Sequence, residues 1–124
     1  MPEVITYEML YEILREEKTK KEMAKLSPDF FVNVISYIEE KKATLESQQK
    51  KASVFTLTET IKTKKQLENI HRILKELYER RESKIIQLAL FQSRSNEITD
   101  TSMLLDIEKL FFNDILNNFN GFSY

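Results

Sequence analysis

At 124 residues the chain suits one modest hydrophobic core, and 41% hydrophobic against 31% charged residues describes a folded domain and not a disordered segment. A net charge of −1 excludes coating of nucleic acid by bulk charge, and the lack of cysteine excludes disulfides, thiolate nucleophiles and sulfur-bound zinc. One glycine and two prolines supply too little turn chemistry for hairpins and sheets, and no stretch is apolar enough to cross a bilayer.

What remains is an all-α fold: a helical bundle of four main helices with a long central third helix, with residues 1–124 forming a single helical domain. The first helix is expected from a Thr6 cap to about Lys21, with Ile5 and Leu10 as a hydrophobic staple. Tyr7, Leu10, Tyr11 and Leu14 form its inner face, opposite Glu12, Arg15, Glu16 and Lys18.

Ser27 as cap, Pro28 at the first helical position and Asp29 at the positive dipole end open the second helix, which fades near Ser47. Its stripe reads Phe31, Val34, Ile35, Ile38 and Leu45. Residues 47–53, SQQKKAS, have no anchor larger than alanine and read as a loop.

Thr56 and Glu59 have capping-box spacing and start the third helix, which reaches about Gln92. Its seam is Leu57, Ile61, Leu67, Ile70, Leu74, Leu77, Arg81, Ile85, Leu88 and Phe91, in recurring steps of three and four. The polar run 93–102 is a loop, and the last helix begins between Thr101 and Asp106. Ile107, Leu110, Phe111, Phe112, Ile115, Leu116 and Phe119 cover more than half of that helix, so a partner chain is expected on its second surface. Asn118, Asn120 and Gly121 suit its end.

Catalytic constellations are not evident. His71 is the one imidazole, adjacent carboxylates such as Glu16/Glu17 and Glu39/Glu40 point about 100° apart on a helix, and no GxGxxG, HExxH or GxSxG occurs. Accordingly no catalytic residue, metal or cofactor is expected. The cluster LYERRESKI, Leu77 to Ile85, stands out because Arg81 and Lys84 interrupt the apolar seam. Three readings stay open: an ion pair, buried or interfacial, that fixes how subunits meet; snorkelling at the core edge; or phosphate contact by Arg80, Arg81 and Lys84.

TYEMLYEILREE, SPDFFVNVISYIEE, ILKELYERRESKIIQLAL and DTSMLLDIEKLFFNDIL, in this order, resemble the helical domain of an archaeal GINS subunit of the class with its helical domain first. The small β domain that follows in that family is expected to be absent, since the sequence given closes at Tyr124. The resemblance implies a non-enzymatic assembly subunit of DNA replication, in a homo- or hetero-tetramer of GINS subunits that binds the MCM helicase and a RecJ-like partner. It implies subunit-interface roles for Leu77, Tyr78, Arg81, Lys84, Leu110, Phe111 and Leu116. Direct DNA binding would be weak or absent, with no membrane contact, in the cytoplasm or at an archaeal nucleoid. The alternatives are a generic helical coiled-coil adaptor or regulator, in which the third helix pairs two chains, and a nucleic-acid binder.

Overall fold

A computed structural model describes residues 4–51 and 53–121. Four helices follow in order: α1 Tyr7–Thr19, α2 Phe30–Gln49, α3 Val54–Ser95 and α4 Asp106–Gly121. The fold is all-α, with the long third helix that the periodicity predicts, and among the described residues no helix is long and apolar enough to cross a membrane.

The helix ends have local causes. The Thr6 Oγ1 accepts the Met9 N–H at 3.1 Å, and Ile5 and Leu10 are both buried, as the staple predicts. Pro28 and Asp29 form a turn, so α2 starts two residues inside the predicted position, with Asp29 as its cap. The predicted 47–53 loop shrinks because α2 continues to Gln49; Ala52 lies outside the described residues. Helix α3 starts before Thr56 because Ser53 and Thr56 cap each other reciprocally: the Thr56 N–H donates to Ser53 Oγ at 3.2 Å and the Ser53 N–H to Thr56 Oγ1 at 3.1 Å. It outlasts Gln92 and stops where Asn96 turns left-handed, at a φ of 60°, a conformation asparagine tolerates at a helix C-terminus.

The chain folds as two compact units. The first contains the chain through Leu14 together with Asp29–Glu76. Its interior is Leu10 and Leu14 from α1, Phe30, Val34 and Tyr37 from α2, and Leu67, Ile70, Ile73 and Leu74 from α3. The buried face of α2 is thus turned from the predicted one: Phe30 replaces Phe31 at its head, and Ile35 is exposed. Asn33 and Tyr37 occupy that face although polar atoms make them poor core residues. On α3, Thr60 and Thr63 are buried where Leu57 and Ile61 were expected.

The second unit comprises Arg15–Pro28 and Leu77–Tyr124. Met23, Ile85, Ala89, Leu104 and Phe112 form its apolar centre, with Leu88, Ile115, Leu116 and Phe119 packed against it. Leu10, Ile70 and Leu77 are fully enclosed in their own chain, and burial of such side chains contributes roughly 1.5–3 kcal/mol each.

The Tyr37 hydroxyl is buried without a hydrogen-bond partner. Burial raises its pKa, and the negative charge of Glu8 adds to the effect. Because the folded-state pKa lies above the unfolded one, the neutral ring's contribution is intact below about pH 10 and is lost as pH rises through the folded value. Replacing the hydroxyl with hydrogen removes an unsatisfied polar group, so Tyr37→Phe should leave the melting temperature equal or higher at neutral pH. Near about pH 11 it should exceed the parent, and thermal melts at the two pH values check this.

Candidate functional site

Three helices each place one charged residue on an apolar stripe. On α1, Glu17 continues the buried series Leu10 and Leu14 at the helical spacing of three to four. On α3, Arg81 follows Leu74 and Leu77 and precedes Ile85. On α4, Glu108 lies four residues before the buried Phe112. Arg81 and Glu17 are each only 1% exposed, and Glu108 is buried too.

The second unit brings these three side chains together. Arg81 donates Nε–H and Nη2–H to the two oxygens of Glu108, both at 2.7 Å, the parallel fork that guanidinium and carboxylate geometry favours. Its Nη1 donates to Glu17 Oε1 at 2.6 Å and to the Ala24 carbonyl at 2.7 Å. Nη2 also reaches the Met103 carbonyl at 3.2 Å. These contacts occupy all five donors of the guanidinium.

Lys84, one turn further along α3, completes the cluster. Its ammonium donates to Glu17 Oε2 at 2.6 Å, to the Glu17 carbonyl at 2.7 Å and to the Glu22 carbonyl at 2.8 Å. It therefore neutralises the negative end of α1, where the last carbonyls lack helical partners. The remaining capacity of the carboxylates goes to main-chain amides: Ala24 N–H donates to Glu17 Oε2 at 3.1 Å, and Leu105 N–H to Glu108 Oε1 at 2.8 Å. The latter is the return half of a capping box, holding the first turn of α4.

Two cations thus meet two carboxylates, and the cluster is neutral. Burial by itself lowers the Arg81 pKa, but the hydrogen bond and charge of Glu108, followed by those of Glu17, outweigh it and hold the value above the ordinary one. The guanidinium stays charged at all working pH values. Stripping several ions of water is costly, so the cluster is stable because every donor has an acceptor.

This placement accounts for the two cations that interrupt the apolar seam in LYERRESKI. Arg81 is a buried ion-pair residue of its own chain, so neither a phosphate nor a neighbouring subunit can reach its donors in this fold. Lys84 has all three ammonium donors engaged, and Arg80 is on the surface. Leu77 is likewise enclosed, which corrects its assignment as a side chain that touches another subunit. Leu116 packs against the core of the second unit. Tyr78, Leu110 and Phe111 do reach the surface. Burial raises the pKa of the Tyr78 hydroxyl even so.

Neither Glu17 nor Glu108 stands among the expected site residues; of the Glu16/Glu17 pair only Glu16 is on the surface, bridged to Lys20 at 2.7 Å. The signal was present in the spacing Leu10, Leu14, Glu17, and again in Glu108 and Phe112: a carboxylate on an apolar stripe requires a cation. His71 is exposed. Among the described residues no group of three or more histidine or acidic side chains could hold a metal. Compared with family models and with curated proteins, the chain matches none.

Removing one member leaves uncompensated charge in the interior. Arg81→Ala should cost about 3–5 kcal/mol, a large part of a small domain's stability, in chemical denaturation. Arg81→Lys should recover only part of it, since three donors cannot meet five acceptors. A loss below about 1 kcal/mol for Arg81→Ala would contradict a dry, complete network.

Proposed function

We propose that the chain is a non-enzymatic assembly subunit of a GINS-like replication complex, bound through its surface to other subunits and, with them, to an MCM-type helicase and a RecJ-like protein. Two things support this reading. One is the resemblance of four segments, in order, to the helical domain of such subunits. The other, which carries the argument for assembly, is that the folded chain leaves Ile107, Leu110 and Phe111 of α4 exposed as a contiguous helical stripe. A second apolar face, about 120° around α4, carries Phe112 and its neighbours in the core. One helix with two apolar faces has a surface left for a companion.

The coiled-coil adaptor reading has less support. It requires the α3 seam to face another chain, whereas Leu67, Ile70, Leu74, Leu77, Arg81 and Ile85 are buried against their own chain.

Co-purification of the tagged full-length gene product with the helicase and the RecJ-like protein tests the reading. The parent should retain both, and Leu110→Asp should lose them with stability changed by no more than about 0.5 kcal/mol in chemical denaturation, as befits an exposed position. A parent that retains neither protein, nor any other subunit, would refute it.

A further inference from the structure

Charge in this nearly neutral chain is sorted along its length. Residues 48–66 contain five lysines and one glutamate, while residues 97–114 contain five acidic residues and one lysine. Each of these regions also carries an exposed apolar stripe at helical spacing. On α3 it is Val54, Leu57 and Ile61, which are 84%, 60% and 60% exposed. On α4 it is Ile107 and Leu110, 62% and 66% exposed, with Phe111 beside them.

The charges flank the stripes. At 100° per residue, Lys64 and Lys65 fall on either side of the line through Leu57 and Ile61, one turn further along α3. A groove of about 510 Å³ opens beside this stripe, with Val54, Leu57, Lys51 and Lys64 in its wall. The first turn of α3 has no acidic residue, so its positive dipole end is left unneutralised. By the same geometry Asp106 and Asp114 lie at the two ends of the α4 stripe. Asp106 is fully exposed, and its nearest cation, Lys109, is 4.0 Å away. Glu108 is the one acidic group of the region already committed to Arg81.

We infer that the α4 stripe of one copy docks on the start of α3 of a second copy, in a head-to-tail contact of apolar ridges bordered by Asp106 and Asp114 on one side and Lys64 and Lys65 on the other. The occupant is this same chain because the two patches are complementary in charge and alike in apolar length, and the near-zero net charge puts no general repulsion between copies. A groove beside a rod of three apolar side chains suits a helix more closely than it suits a flat surface. Such a contact is head-to-tail: a bound pair still offers one free patch of each kind, so further copies can add to it. This inference rests on the assembly reading above, and specifies which surfaces meet.

Sedimentation and light scattering of the full chain provide the test, since the two patches can be disabled one at a time. The parent should self-associate, less strongly as salt is added. Leu57→Asp and Leu110→Asp should each weaken self-association about tenfold or more. Mixed together they should form one-to-one pairs at near-parent affinity, because the first retains a sound α4 patch and the second a sound α3 patch. Lys64→Glu with Lys65→Glu should likewise be rescued by a chain carrying Asp106→Lys and Asp114→Lys, and circular dichroism should show unchanged helix in all of them.

Either single variant assembling like the parent, or a mixture no better than its components, overturns the contact. A monomeric parent that binds anionic vesicles through Leu57 overturns it in favour of a membrane surface. A monomeric parent that co-purifies with other subunits overturns the self-contact and leaves the assembly reading standing, whereas one that co-purifies with nothing overturns both.

Discussion

The guanidinium of Arg81 imposes the strictest demand in the second unit, because five donors buried together must each find an oxygen. Meeting that demand requires the end of α1, the start of α4, and the main chain at Ala24 and Met103 to converge on one point of α3. The two connecting segments are thereby held by polar contacts as well as by their buried apolar residues Met23 and Leu104. Hydrophobic packing around Met23, Ile85 and Phe112 supplies the burial but is tolerant of small shifts. Hydrogen bonds of 2.6–2.7 Å are not. The network therefore specifies the arrangement more than it adds net stability, a role attested for some buried ionic groups.

Neutrality of that cluster has a consequence for the surface. Once Arg81 and Lys84 are matched by Glu17 and Glu108, the interior of the second unit contributes nothing to the external charge. What a partner meets is the uneven distribution of the remaining groups: lysines around the start of α3 and aspartates around α4. A total of −1 conceals this, because it sums two patches of opposite sign. Net charge bears on solubility and bulk attraction to nucleic acid, while the distribution governs which surfaces can meet.

The two units solve burial differently. The first relies on aliphatic and aromatic packing, with Lys41 bonded to Gln66 at 3.2 Å and its ammonium 5.8 Å from the Tyr37 ring. It tolerates loose polar atoms, as Asn33 and Tyr37 show. The second also leaves the Thr99 hydroxyl unpaired but engages every member of its buried charged cluster. A defect in a buried ion network leaves a bare charge, which is far more costly than an unsatisfied hydroxyl or amide.

Much of this was legible in the residues alone. The scarcity of glycine and proline established helices, Thr6 marked the start of α1, and the excess of apolar positions on α4 foretold a stripe that folding leaves open. Three-to-four spacing also located the charged interruption at Arg81. Periodicity reports that a helix has an apolar side, but not which of two adjacent stripes finds a neighbour; hence Phe30 displaced Phe31, and Thr60 and Thr63 went inside while Leu57 and Ile61 stayed out. Nor could it name the partners of Arg81, since Glu17 and Glu108 lie 64 and 27 residues away in a chain of 20 acidic groups. Local sequence determines the propensity of each helix and the position of its caps; only long-range packing selects which carboxylates lose their water, because that choice depends on the positions of all the elements at once.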